Sequence, residues 1–267
     1  MSLTNGLKLA ISGKGGVGKT TLSALLCEFF ARDGHVLAID ADPDANLGMA
    51  LGFDADALQK VTAISEDKKL IKERTGAEAG VSGQMFSLNP QVEDIPEKYV
   101  IEKGNIHLMR MGKLTKAGAG CTCPENALLK HLLRHLVVQR NETVIVDMEA
   151  GLEHLGRGTA EGVDAFIVVV EPGQRSVETA KEVFRLAREL GVGRVYAVVN
   201  KVSAGQREKV GQMLDFTEIL GYLPYDPSVV DADLNGSSVS QLGEEFLGGV
   251  QEIYSKLVNE LVHVELA

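Results

Sequence analysis

Lys8-Leu9-Ala10-Ile11-Ser12, then Gly13-Lys14-Gly15-Gly16-Val17-Gly18-Lys19-Thr20, then Thr21-Leu22-Ser23-Ala24-Leu25-Leu26, carries an apolar strand through a glycine-rich loop into a helix. In that setting the glycines let successive backbone N–H groups turn inward as an anion nest, and the helix N-terminus adds partial positive charge. Lys19 is placed to reach the β- and γ-phosphates of a nucleotide and the Thr20 hydroxyl to ligate Mg²⁺, with Thr21 in the same nucleotide-binding set. A plain structural turn is rejected, because strand, loop and helix come in the order that a phosphate-binding loop requires.

Outward from this loop, apolar runs of strand length alternate with amphipathic stretches, the pattern of a mostly parallel sheet covered on both faces. Strands are predicted over 8–12, 36–40, 85–89, 106–111, 143–148, 165–171, 195–200 and 218–222, and helices over 19–32, 125–139, 176–190 and 241–262. The first helix carries Leu22, Leu25, Leu26 and Phe29 at helical spacing and closes at Asp33-Gly34. The last carries Leu242, Phe246, Val250, Ile253, Leu257 and Leu261 on one stripe. The fold class is therefore α/β, a central sheet of about 7–8 strands flanked by helices. The elements interleave, so residues 1–267 are read as one domain. The polar stretch 55–104, with its charged run Glu66-Asp67-Lys68-Lys69, is read as an insertion of helices and loops over one end of the sheet. Its charges suit a solvated face better than a recognition surface.

A net charge of −10 argues against a mainly electrostatic grip on nucleic acid. No segment approaches the roughly 18 uninterrupted apolar residues of a membrane span. The first six residues lack the basic and apolar regions of a signal peptide. Three cysteines do not make a disulfide framework, so a cytoplasmic, reducing compartment is expected.

Lys14 adds a second lysine at the start of the loop. Lys-Gly-Gly-Val-Gly-Lys-Thr at 14–20 resembles the deviant Walker A loop of the MinD and nitrogenase iron protein class, the SIMIBI type of P-loop NTPase. That resemblance implies ATP and ADP as ligands and a homodimer in which Lys14 reaches the partner's nucleotide. The nucleotide-binding loop is then Gly13, Lys14, Gly15, Gly16, Val17, Gly18, Lys19 and Thr20.

Carboxylates follow two of the predicted strands. Asp40-Ala41-Asp42-Pro43-Asp44 comes after the second, and parallel strands deliver such ends to the edge where ligands bind. By the class resemblance Asp42 matches the switch I aspartate that orients the attacking water, giving Lys14, Lys19 and Asp42 as the catalytic set. Asp40 is read as a metal-shell or structural residue, and Asp44 as a helix N-cap. The strand over 143–148 ends in Asp147, followed by Glu149-Ala150-Gly151, which looks like a Walker B and switch II segment. Asp147 would join Thr20 and Asp42 around Mg²⁺, and Gly151 can swing its N–H toward a γ-phosphate. Asn200-Lys201 offers a donor and an acceptor to an adenine edge, with Pro224 in the assisting loop Leu223-Pro224-Tyr225-Asp226-Pro227; a turn-capping Asn is the alternative.

Cys121-Thr122-Cys123 stands before the predicted helix, where Thr122 and Glu125 have capping-box spacing and Pro124 falls in the first turn. A helix N-terminus favours thiolates, the form that binds metals. Two sulfurs are half a tetrahedral site, and a two-fold axis would supply four. A redox-labile pair or two incidental small residues are the alternatives. Cys27 is read as core. His131 and His135 have chelating spacing but lie off the apolar stripe, which favours a solvated face. His154 is either a sensor of nucleotide state or a structural hydrogen-bonding residue.

These motifs together resemble the CooC family, nickel-insertion ATPases that mature carbon monoxide dehydrogenase. The resemblance runs through 13–20, 40–44, Cys121-Thr122-Cys123, the stretch 147–159, Asn200-Lys201 and Leu223-Pro224-Tyr225. It implies a nucleotide-gated homodimer that binds Ni²⁺, or Zn²⁺ in its place, between Cys121 and Cys123 of each copy. Carbon monoxide dehydrogenase would be the client, with no nucleic acid or membrane partner. Other readings are an insertase for acetyl-CoA synthase, an iron–sulfur scaffold, or a MinD/ParA-like positioning ATPase.

Overall fold

The computed structural model describes residues 6–79, 81, 83–112, 124–139, 141–149, 157–239 and 242–262. The expectations for Cys121, Cys123, Gly151 and His154 lie outside the described residues. The strands are β1 (Lys8–Gly13), β2 (Val36–Ala41), β3 (Val100–Lys103), β4 (Ile106–Arg110), β5 (Thr143–Met148), β6 (Ala165–Val170), β7 (Val195–Val199) and β8 (Glu218–Tyr222). They form one eight-stranded sheet in the order β3-β4-β2-β5-β1-β6-β7-β8. Every pairing is parallel except that of β3 with β4.

Side chains alternate across each strand, so Leu9 and Ile11 enter one apolar cluster and Ala10 the other. Helices α1 (Lys19–Phe30) and α11 (Glu244–Val262) cover the first face with Leu22, Phe30, Ile253 and Leu257. Helices α6 (Pro124–Gln139) and α8 (Gln174–Glu189) cover the second with Leu128, Leu132, Val177 and Phe184. Both faces are dry, which is why the central strands read as continuous apolar runs. After β1 the chain fills one side of the sheet, and after β5 it crosses to the other. β1 therefore stands at the topological switch point, with the phosphate loop at its carboxyl end.

Two expectations for 55–104 need correcting. Residues 85–89 form no strand: Met85 is 96% exposed, and the Ser87 N–H donates to the Thr75 carbonyl, 2.8 Å away. A short apolar run cannot by itself distinguish a strand from a loop. The edge strand is instead β3, whose Glu102 and Lys103 mask it; the signal was Gly104-Asn105, a two-residue hairpin turn with Gly104 at φ 59. Nor does the segment merely lie over one end of the sheet. Its helices α3 (Ala55–Lys60), α4 (Lys68–Thr75) and α5 (Ile95–Tyr99) lead into β3. Ile64, Leu70, Ile71, Val92 and Ile95 join the same apolar cluster as α6. Arg110 of β4 ties it down by donating to the carbonyls of Leu58 and Val61.

Ile71 is fully buried in that common cluster. Ile71→Ala is expected to destabilise the whole protein by about 2–5 kcal/mol. Urea denaturation of the nucleotide-free protein checks this, and an unchanged midpoint would mean that the segment is only appended.

Candidate functional site

The site starts where β1 runs out. A Cβ at Gly13 would lie 2.5 Å from the Val169 carbonyl oxygen of β6, so glycine is the residue that lets the strand leave here. Gly16 and Gly18 then take φ of 79 and 94, left-handed values that favour glycine. Gly18 caps α1 without a side-chain bond, which leaves the first N–H groups of the helix to face the loop. Lys14 and Gly15 are exposed, whereas Val17 is buried and anchors the loop to the core.

Two carboxylates, Asp42 and Asp147, meet this loop and the helix it opens, and Asp40 lies beside Asp147. Lys19 Nζ donates to Asp42 Oδ2 at 2.6 Å in a pair that is nearly dry on both sides. Thr20 Oγ1 donates to Asp147 Oδ2 at 2.7 Å. Ser23 Oγ lies 3.1 Å from Asp147 Oδ1 and 2.9 Å from the Lys19 carbonyl, its one proton serving either acceptor. Asp40 is in register with Asp147 on the neighbouring strand. Its Oδ2 accepts from the Leu47 N–H at 3.0 Å, at the start of α2 (Leu47–Ala50), while its Oδ1 is buried without a hydrogen-bond partner. Asp40 thus does the helix-capping work that the sequence suggested for Asp44. The Asp44 N–H instead donates to Asp42 Oδ1 at 3.0 Å, and the N-cap position is Asn46.

Burial pushes the Asp40 carboxyl up to about 7, and the neighbouring Asp147 charge adds to the effect. Burial likewise pushes Asp147 up to about 6, against the lowering pull of the Thr20 hydroxyl and the Lys19 ammonium. Carboxylate and hydroxyl oxygens beside a phosphate nest, one of them an orphaned acceptor, fit a hard cation such as Mg²⁺. Among the described residues no three His, Cys, Asp or Glu could hold a metal by themselves.

The loop opens on a cleft of about 340 Å³ lined by Gly15, Gly16, Gly18, Lys19, Thr20, Thr21 and Asp42, with Asn200 and Lys201 beside them. Gly13, Lys14, Val17, Asp147 and Pro224 do not line it. Its apolar walls are built by Met49 and Ala50 and, second, by Val229 and Val230 of α10 (Pro227–Leu234). Sequence reading missed that second wall, although Asp226 followed by Pro227 is an N-cap and N1 signal, and Asp226 Oδ1 does accept from the Ser228 N–H at 2.8 Å. Glu149 is exposed, and its carbonyl accepts from Ser12 Oγ at 2.8 Å, tying the end of β1 to the chain beyond β5. Cys27 is fully buried, and burial raises its thiol well above the ordinary range. His131 and His135 are half-buried near Glu93.

A glycine nest at the switch point of a parallel sheet, with Lys-Thr facing two buried acids, defines a P-loop ATPase. Residues 8–239 match the CobQ/CobB/MinD/ParA nucleotide binding domain. CooC of Rhodospirillum rubrum, a carbon monoxide dehydrogenase accessory protein, is 45% identical over 240 residues, 88% of this chain and 90% of that one. The chain belongs to the CooC family. An ATP-binding protein of Methanocaldococcus jannaschii is 38% identical over 256 residues, 94% of this chain and 98% of its own. The fold is also that of the MinD cell division protein of Aquifex aeolicus, with a TM-score of 0.65 at 20% identity over 94% of this chain and 97% of that one. A ParA family ATPase of Chlorobium tepidum superposes with a TM-score of 0.66 at 18% identity, covering 92% and 98% of the two chains.

Both raised carboxyls bind protons more tightly in the folded chain than in the unfolded one. Their contribution therefore favours the fold at low pH and is lost as pH rises from about 4 through about 7. In nucleotide-free, Mg²⁺-free buffer, Asp40→Asn is expected to be more stable than the parent at pH 8, by a margin that shrinks toward pH 4.5. Chemical denaturation at both pH values measures this, and a margin independent of pH contradicts the assignment.

Proposed function

We propose that this chain is a single-domain ATPase that works as a cytoplasmic homodimer, carrying Ni²⁺ for insertion into carbon monoxide dehydrogenase. The observation that carries the nucleotide half is the dry Lys19–Asp42 pair at the mouth of the phosphate nest. Lys19 binds the β- and γ-phosphates in place of the Asp42 carboxylate. Asp42, so released, orients the attacking water. Thr20 and Asp147, with Asp42, are the residues that would hold Mg²⁺, which supplies charge neutralisation across the phosphate oxygens. Lys14, exposed at the start of the loop, reaches the nucleotide of the second copy. Glu149 and Gly151 carry the state of the γ-phosphate onward as switch II.

The metal half rests on the 45% identity to an accessory protein of carbon monoxide dehydrogenase and on Cys121 and Cys123, which directly precede α6 at Pro124. Two thiolates from each copy make a four-sulfur site that takes Ni²⁺ as cargo and Zn²⁺ as a competitor. Hydrolysis reopens the dimer and exposes the metal to the client. The net charge of −10 and the acidic pI of about 5.2 support a protein partner rather than nucleic acid. No described helix is long and apolar enough to cross a membrane.

Metal titration of the purified protein, with and without ATP, tests the reading by metal analysis and light scattering. One Ni²⁺ per two chains is expected, lost in Cys121→Ala/Cys123→Ala. Affinity should weaken as pH falls, because binding releases thiol protons. One metal per monomer, or full retention in the double variant, would overturn it. Lys14→Gln is expected to keep ADP binding while losing ATP-dependent dimerisation.

A further inference from the structure

Asn200 and Lys201 follow β7, where the sequence points to contact with an adenine. Their donors are directed elsewhere. Lys201 Nζ donates to the Gly16 carbonyl at 2.6 Å, and Asn200 Nδ2 donates to the Val17 carbonyl at 2.8 Å. These are successive carbonyls of the phosphate loop. The Asn200 amide is occupied at its other end as well, because its Oδ1 accepts from the Lys201 N–H at 2.9 Å. Lys201 itself has φ 56, a left-handed conformation that a side chain with a Cβ adopts only against a steric cost. The fit is close on the loop side too: a Cβ on Gly18 would stand 2.3 Å from Asn200 Nδ2.

In a trans peptide the C=O and the following N–H point in opposite directions. Turning the Val17 carbonyl toward Asn200 therefore turns the Gly18 N–H the other way, and Gly18 lines the cleft. Turning the Gly16 carbonyl toward Lys201 sends the Val17 N–H back to the Lys14 carbonyl, 3.3 Å away, which closes the turn that carries Lys14. One more residue completes the chain of contacts. Glu171, just past β6, has Oε2 3.4 Å from Lys201 Nζ. Both side chains are more than a third exposed, so the ion pair itself is weak and serves to aim the ammonium.

We infer that Glu171 and Lys201 are positioning residues for the phosphate loop rather than readers of the nucleobase. Glu171 holds the Lys201 ammonium, the ammonium holds the Gly16 carbonyl, and the loop is set before a nucleotide arrives. Because the brace grips the backbone of the nest, it acts on any polyphosphate, with or without a base. The inference rests on the nucleotide half of the proposed function and is independent of the nickel half.

The test compares ATP with inorganic tripolyphosphate, each displacing a fluorescent ADP analogue from the full-length protein. Lys201→Met is expected to weaken both ligands by the same factor, about tenfold, as when an unbraced loop holds its binding-competent shape only about a tenth of the time. Glu171→Gln should weaken both by a smaller, again equal, factor of about three. Lys201→Arg should restore most of the loss. The thermal midpoint of the nucleotide-free variants should stay at the parent value. A loss confined to ATP would make Lys201 a base contact and overturn the inference, as would unchanged affinity for both ligands or a fall in midpoint that parallels the loss. Failure of the parent protein to bind ATP would instead sink the nucleotide reading itself.

Discussion

Carboxylates held out of water at the end of a sheet need a positive partner, and this requirement organises the site. Asp40 and Asp147 stand side by side on β2 and β5 at 1% and 0% exposure, with Asp42 two residues further on. The Lys19 ammonium meets Asp42 and draws on Asp147, but Asp40 is left with a buried oxygen that has no hydrogen-bond donor. Desolvation of this kind is costly unless it is compensated. The nest of N–H groups and the Thr20 hydroxyl lie where a phosphate with its cation would supply that compensation.

The sheet makes the crowding unavoidable. Parallel strands send their carboxyl ends to one edge, and β5 lies between β2 and β1. The acids of two strands and the loop of a third are therefore neighbours in space, although Asp147 is 127 residues from Thr20 in the chain. Ser12 adds a second link between β1 and the chain beyond β5 through the Glu149 carbonyl. Helix α1 closes the arrangement from below, with Thr20 and Ser23 in consecutive turns on the face that meets Asp147.

On the far side of the loop the logic is mechanical. Glycines give the loop its freedom to curl, and that freedom must be removed if the N–H groups are to converge on a ligand. Backbone carbonyls gripped by Asn200 and Lys201 remove it, and the buried Val17 pins the centre. The cleft walls are different in kind: Met49, Val229 and Val230 offer apolar surface, suited to a flat base or to closure against it.

Much was legible in the chain alone. Local order carried the phosphate loop, since strand, glycines, Lys19-Thr20 and helix are contiguous and their chemistry is read within twenty residues. Two-faced burial made β1, β2, β5 and β6 plain as apolar runs, and the shared edge of parallel strand ends put the carboxylates of 40–44 beside the loop, while the choice of Asp42 and Asp147 came from the class resemblance. Where pattern was weak it misled. The run at 85–89 resembled a strand, while the true edge, β3, hid behind Glu102 and Lys103. Tertiary structure alone decided that the 55–104 segment shares the main core, that α10 walls the cleft and that Pro224 does not line it. It also decided that Asn200 and Lys201 grip the loop. Residue type says what a side chain can bond, but which of several partners it meets depends on how elements distant in sequence pack, and no local period encodes that.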